Sequence, residues 1–324
     1  MKSVSRHRVI ATAVLASFAL ALPAAAQTYP ARTITLVVGY PPGGTGDFVA
    51  RIVGAKLSEK FGRTVVVENR AGASGLIAAQ YVAKAAPDGY MILVGQTPEI
   101  AVNPHFLNSG LDVDRELVPI ALGGVVPLAL VVPKASPYSA IAELLDAARS
   151  GKSILFASAG PGTPGHFAGE LLRQYTHGNL THVPYKGAGP ALADLLGSHV
   201  DFYFPGFPGA VPYVKAGQMK MLAVTSPQRL PRAPDVPTVI EATGIKDFDL
   251  SLWAGFFAPL GTPNAIVAQL NAAINGVLAQ PDTQARMADG GADIVPMSVD
   301  RFAGFIKSES TKYARIIATT GIKP

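Results

Sequence analysis

The 324-residue chain contains no cysteine. That absence excludes disulfides, cysteine-ligated zinc, iron–sulfur clusters, thiol catalysis and lipid attachment through an N-terminal cysteine. Charge is scarce too. Asp, Glu, Lys and Arg make up 15% of residues, where about a quarter is usual. No HExxH is present. Gly151-Lys152-Ser153 lacks the upstream glycine of a P-loop, because position 146 is Asp. Gly43–Asp47 does not fit G-x-G-x-x-G, and Gly72–Gly75 is not a G-x-S-x-G elbow. What is plentiful is apolar residues, at 49%, with 33 Gly and 27 Pro. Such a chain can build real cores and is long enough for two domains. Its elements must be short and its turns many, which excludes a coiled coil.

The first thirty residues stand apart. Lys2, Arg6 and Arg8 precede an apolar run from Val9 to Leu22, and Ala24-Ala25-Ala26 follows. This is the layout of a secretory signal peptide ending at residue 26. The run is short for a membrane span, which needs about 20 residues, and an uncleaved anchor is the alternative. Export implies the periplasm of a Gram-negative cell. Removing the leader takes three of 27 Lys+Arg and none of 22 Asp+Glu. The mature chain is therefore nearly neutral and carries no basic stripe with interleaved aromatics. Nucleic acid is not an expected partner.

From residue 33 onward, β-branched runs alternate with amphipathic stretches, as in parallel α/β layers. Strands are predicted at Thr33–Tyr40, Val65–Glu68, Tyr90–Gly95, Leu128–Pro133, Ile154–Ser158, Thr181–Tyr185, Val200–Phe204, Met221–Ser226 and Trp253–Pro259. Helices are predicted at Phe48–Phe61, around Leu76–Ala83, at Ser139–Arg149, from Thr163-Pro164 onward, and around Leu192–Leu196. Two more follow, one after Thr262-Pro263 and one from about Asp300 to Thr319. One unit occurs twice: a buried strand, a glycine-rich loop and an amphipathic helix.

The two loops carry the chemistry. Tyr40-Pro41-Pro42-Gly43-Gly44-Thr45-Gly46-Asp47 joins a strand to a helix, and Ser158-Ala159-Gly160-Pro161-Gly162-Thr163-Pro164-Gly165-His166 does the same. Glycines let backbone N–H groups approach a ligand, and a helix N-terminus adds unpaired donors and partial positive charge. Together they can hold an anion without Lys or Arg. Hydroxyls of Thr45, Ser158 and Thr163 are further donors. At about 1.5–3 kcal/mol per charge-assisted bond, four bonds suffice for roughly micromolar binding before ordering costs. Either loop alone reads equally as a tight turn; two of them point to a cleft between lobes. His166 lies in the first turn after its loop. Asp47 reads as a first-turn dipole partner, and Lys186 reads equally as a solvated loop charge. No nucleophile–base pair emerges, so no catalytic residue is assigned.

These features resemble the Bug family, periplasmic substrate-binding proteins of tripartite tricarboxylate transporters. The resemblance spans the mature chain and rests on YPPGGTGD (40–47), VVVENRAGASG (65–75), AKAAPDGY (83–90), NPHF (103–106), FASAGPGTPGHFAGELL (156–172), VPYKGAGPALADLLGSHVDFYF (183–204) and AGQMKMLAVTS (216–226). It implies an α/β, two-lobed type II periplasmic-binding fold with a ligand cleft. Lobe 1 would be 27–127 with 252–324, and lobe 2 would be 128–251. It implies capture of a small carboxylate by loop amides, hinge closure, and docking of a monomer onto transporter membrane subunits, with no cofactor. The implied contacts are Tyr40, Pro42, Gly43, Gly44, Thr45, Gly46 and Asp47 from the first loop. Ser158, Ala159, Gly160, Gly162, Thr163 and His166 come from the second, and Tyr185, Lys186 and Gly187 from the PYKG segment. Thr97, Phe204 and Pro205 complete the set. The family commonly reads FDN where this chain reads Phe204-Pro205-Gly206. Losing that acid removes a partner for a ligand ammonium, which favours a carboxylate lacking an α-amino group. Phe202, Phe204, Phe207 and Trp253 are candidates for an apolar wall, and core packing accounts for each equally. A ligand sensor for a membrane kinase and an exported hydrolase are the competing functions.

Overall fold

The computed structural model describes residues 29–107, 110–246 and 248–323. The signal peptide expected at 1–26 lies outside the described residues. Strand β1 (Ile34–Val38) leads into helix α1 (Thr45–Phe61), β2 (Val65–Asn69), α2 (Leu76–Ala83) and β3 (Met91–Gln96). A π turn at Pro98–Val102 and two short helical turns, Asn103–Phe106 and Val113–Glu116, connect to β4 (Leu117–Pro127). The chain then runs through β5 (Ala129–Pro133), α3 (Ile141–Arg149), β6 (Ile154–Ser158), α4 (Pro164–Thr176), β7 (Leu180–Pro184) and α5 (Ala188–Leu196). Next come β8 (Phe202–Tyr203), α6 (Phe207–Lys215), β9 (Met219–Val224) and a short helix at Val239–Thr243. Strand β10 (Ser251–Pro259) precedes α7 (Asn264–Leu278), α8 (Pro281–Asp289) and α9 (Val299–Thr320). Among the described residues, no helix is long and apolar enough to cross a membrane.

Two five-stranded sheets result, ordered β2-β1-β3-β10-β4 and β7-β6-β8-β5-β9. In the first, β1 is parallel to β2 and β3, and β10 runs antiparallel to β3 and β4. In the second, β6 is parallel to β7 and β8, while β5 is antiparallel to β8 and β9. Each sheet thus has one parallel crossover unit and one antiparallel strand inserted from elsewhere in the chain. Strands covered on both faces must be apolar throughout. Val37, Val38, Leu93, Val94, Ile154, Phe156, Phe256 and Phe257 are accordingly all 0% exposed. Helix α3 shows the matching logic at a period of 3.6. Ile141, Leu144, Leu145 and Ala148 are buried, Ala147 is half-buried beside them, and Ala142, Glu143 and Asp146 face outward.

Several boundaries differ from expectation for physical reasons. Helix α1 starts at Thr45, three residues early, because extended Gly44 is its N-cap and Thr45-Gly46-Asp47 carries no apolar period to reveal it. The N-cap Thr163 makes no capping bond; its hydroxyl donates to the Gly160 carbonyl at 2.7 Å. Thr262 likewise donates to the Pro259 carbonyl, and Pro263 occupies the N-cap of α7. The strand expected at Val200–Phe204 shrinks to Phe202–Tyr203. Strand β4 has no counterpart among the strands that the sequence pattern predicts. Its sequence LVPIALGGVVP holds two Pro and a Gly pair, and these are tolerated because β4 is an edge strand with register shifts against β10.

Both passages of the chain between the sheets meet at Thr225. This buried hydroxyl accepts the Leu128 N–H at 2.8 Å and donates to the Leu250 carbonyl. Leu128 sits between β4 and β5, and Leu250 immediately precedes β10.

Candidate functional site

In a doubly wound sheet, ligands collect at the carboxyl ends of the strands where the strand order reverses. Here those points lie beyond β1 and β3 in the first sheet, and beyond β6 and β8 in the second. All four open on one narrow cavity of about 50 Å³. Its wall comprises Tyr40–Thr45 after β1, Gln96 at the end of β3 and Pro98 beyond it, Ala159 and Thr163–Gly165 after β6, and Tyr203–Gly206 around β8. Ala188 and Gly189 of α5, Gly209 of α6 and Leu252 of β10 complete it. That wall contains no Lys, Arg, His, Asp or Glu. A neighbouring space of about 440 Å³ is lined by Gly39–Pro41, Ala71–Ser74, Ala159, Gly160 and Tyr185–Gly187. The largest cavity described, about 900 Å³, lies away from both glycine-rich loops, between residues 100–119 and α9, and none of the candidates lines it.

The first turns of α1, α4 and α5 all reach the narrow cavity. Among the described residues, no acceptor takes the N–H of Thr45, Gly165, Ala188 or Gly189. Four unpaired donors at three positive helix ends therefore face a space without a cation. This electrostatic setting suits an anion. Close approach is essential here. A Cβ on Gly46 would lie 2.7 Å from the Gln96 amide, and the Gly46 N–H already donates to Gln96 Oε1 at 3.0 Å. Gly187 has φ +117°, and a Cβ there would press on the Pro41 ring.

The two halves touch around this space. Ser74 donates its hydroxyl to the Pro161 carbonyl at 2.7 Å, and Asn103 Nδ2 holds the Ser74 carbonyl at 3.2 Å. Ser74 and its neighbour Ala73 are non-glycine residues at φ 50° and 47°. That backbone strain costs about 1–3 kcal/mol per residue and sits where the second loop is gripped.

Of the sequence candidates, Tyr40, Pro42, Gly43, Gly44, Thr45, Ala159, Thr163, Phe204 and Pro205 line the narrow cavity. Gly160, Tyr185, Lys186 and Gly187 line the adjoining space. The structure does not bring Gly46, Asp47, Thr97, Ser158, Gly162 or His166 to either wall. These residues fasten the loops instead. Asp47 accepts the Gly43 N–H at 3.1 Å, Asn69 Nδ2 at 3.0 Å and two bonds from Arg51. Burial alone would raise its carboxyl, but those bonds outweigh it and hold Asp47 below the usual carboxylate range. The Thr97 hydroxyl accepts the Trp253 N–H at 2.9 Å and ties β10 to the end of β3. Ser158 Oγ takes the Gly160 N–H and lies 2.7 Å from His182 Nε2. His166 Nδ1 accepts the Gly162 N–H at 3.3 Å, and its ring stacks on His182 with centroids 4.1 Å apart. Burial pushes His166 down to about 3 and His182 to about 4, so both are neutral at pH 7. Tyr185 donates to Asp194, and burial with that carboxylate raises its phenol to about 12.

Phe202, Phe207 and Trp253 pack in the core, and only Phe204 of the four proposed wall aromatics faces the cavity. Sequence reasoning missed Gln96, Pro98, Ala188, Gly189, Tyr203 and Leu252. Gln96 and Tyr203, the last residues of β3 and β8, were recoverable, because the strand-end rule applies to the third strand of each unit as well as the first.

Residues 49–322 match the family described as "Tripartite tricarboxylate transporter family receptor", TctC. The chain belongs to this family. The TctC-family chain is similar to the solved structure of R. palustris Rpa4515 with adipate, at 34% identity and a TM-score of 0.88, covering 91% of this chain and 99% of that one. It is similar to the periplasmic binding protein BugD, at 34% identity and 0.86, with the same coverage of each chain. MatC (Rpa3494) from Rhodopseudomonas palustris with bound malate matches at 34% and 0.83, covering 89% of this chain and all (100%) of that one. The fold is thus the two-lobed type II periplasmic-binding fold, and the family is one of Bug-type periplasmic solute-binding receptors.

Proposed function

We propose that this receptor captures a small carboxylate lacking an α-amino group in the narrow cavity and hands it to the membrane subunits of a tripartite tricarboxylate transporter. One observation carries the reading: unpaired N–H groups from three helix ends converge on a wall that has neither cation nor acid. An anion gains from the donors, and an ammonium group finds no partner. The mature chain acts as a monomer in the periplasm after loss of residues 1–26. Its lobes are 27–127 with 252–324, and 128–251, hinged at the two passages between the sheets. The site binds and releases without a catalytic step, and no cofactor takes part.

The relatives bound to adipate and malate make dicarboxylates the first solutes to try. In calorimetry at pH 7, adipate, malate, succinate, citrate and benzoate are the test set, with glutamate and arginine as controls. At least one plain carboxylate is expected to bind at micromolar level and to be recovered unchanged. Tight binding of amino acids alone overturns the proposal. In the same assay Asp47→Ala, which frees the Gly43 N–H and removes bonds that help hold Asn69 and Arg51 at the loop, is expected to weaken binding by about 10–100-fold, the loss of roughly 1.4–2.8 kcal/mol of loop order. Unchanged affinity removes Asp47 from the account of the site.

A further inference from the structure

Glu99 lies one layer beneath the cavity, in the π turn after β3, and is 0% exposed. Its Oε1 accepts the Gln96 N–H at 2.8 Å, and its Oε2 has no partner. Oε2 occupies space that only glycine leaves open: a Cβ on Gly75, at φ +89°, would sit 2.4 Å from it. The Tyr40 hydroxyl and Gln96 Nε2 are also buried without a well-formed hydrogen bond, and Tyr40 lies near enough to Glu99 for each to shift the other's ionisation. Tyr40 and Gln96 both line the cavity, as does the Tyr203 phenol from the opposite half. Three orphaned polar atoms in one layer mark a place where hydrogen-bonding partners are due.

We propose that Glu99 is held there as a neutral acid and, with Tyr40 and Gln96, forms a polar floor that donates to an oxygen of the bound solute, so that in alkaline solution, where free Glu99 has lost its proton, solute and one proton are taken up together. This rests on the carboxylate reading above. The Glu99 O–H donates to Tyr40 Oη, and the Tyr40 O–H then points on to the solute or to the water bridging to it. Gln96 Nε2 supplies the second donor. When Glu99 loses its proton to water, Tyr40 turns its O–H back onto the carboxylate and the floor loses a donor. A negative charge then stands under an anion in a wall with no cation to offset it.

The surroundings support a neutral Glu99. Burial drives its carboxyl up to about 8, although the backbone N–H groups of Glu99 and Gln96 and the Tyr40 hydroxyl pull it down. Tyr40 is raised well above its ordinary value by burial, then by Glu99 and Tyr203. Helix α9, which packs on the π turn, brings Glu309 and Lys312, paired to each other at 2.6 Å, together with Tyr313 and Lys307. The turn at 103–106 brings His105, bonded to Ser310. Among these groups, only Tyr40 acts on Glu99.

Two measurements test the proposal. In ligand-free protein carrying 13C-labelled glutamate, one side-chain carboxyl is expected to titrate near pH 8 and to vanish in Glu99→Gln. In parallel, the dissociation constant of adipate or malate is expected to rise about tenfold between pH 7 and pH 9 in the wild type, as one linked proton requires. Glu99→Gln binds the same solute equally at both pH values, and Tyr40→Phe loses most of the slope. A Glu99 that titrates in the ordinary carboxylate range, or a slope that survives Glu99→Gln, overturns the proposal. If no carboxylate binds at any pH, the carboxylate reading falls and the linkage with it. A titration near pH 8 in the ligand-free protein then still supports the neutral floor.

Discussion

Thr225→Val is expected to lower stability by about 2–5 kcal/mol, since it leaves a buried N–H and a buried carbonyl unpaired at roughly 1–3 kcal/mol each. Valine matches threonine in shape, so packing around position 225 is kept and only the two bonds, to Leu128 and Leu250, are lost. Thermal unfolding should register a drop of about 5–10 °C in a chain of this size. Thr225→Ser keeps the hydroxyl and should lose far less. Equal losses in the two variants would show that the methyl group matters at this site and the hydroxyl does not.

Acid acts through opposed groups. His166 and His182 are harder to protonate in the folded protein than in the unfolded chain, at about 3 and about 4 against 6.5. The stability they contribute is present above pH 6.5 and is lost as the pH falls toward 4; between pH 6.5 and 4.5 the pair removes roughly 5 kcal/mol. Glu99 works the other way. Its folded value, about 8 against 4.5, makes the folded state bind the extra proton. Over the same interval it restores roughly 2.5 kcal/mol. The wild type should therefore lose only about 2.5 kcal/mol between pH 6.5 and 4.5, and Glu99→Gln about 5. Urea unfolding at the two pH values measures both. Parallel losses in wild type and variant would mean that Glu99 gives nothing back. Protonating His166 Nδ1 also ejects the Gly162 N–H, so the second loop should loosen before the whole protein unfolds.

The repeated strand–loop–helix unit was legible because its apolar residues are spaced at 2 and 3.6 and its loops are punctuated by glycine. Strand β4 and helix α6 were not. The first hides two prolines and a glycine pair on a sheet edge, and the second, FPGAVPYVK, carries proline both at its start and inside it. At the site, the glycine-rich loops announced themselves. Asp47, Ser158 and His166 belong to the loops but line neither cavity, and sequence alone does not separate a polar residue near a loop from one facing its cavity. Only three-dimensional pairing reveals that these side chains are already engaged with the loop backbone. Gln96, Ala188 and Glu99 had no local signature, since their relevance arises from strand order and from atoms left without partners.

On the proposed reading the grip on the solute rests mainly on peptide groups, and no point mutation short of proline deletes a peptide N–H. Descendants of this gene could then exchange the remaining wall, Leu252, Phe204 and Tyr203, and acquire new diets while the proposed hold on a carboxyl end is inherited intact. An ancestral receptor of this design would diversify by changing what surrounds the far end of its cargo.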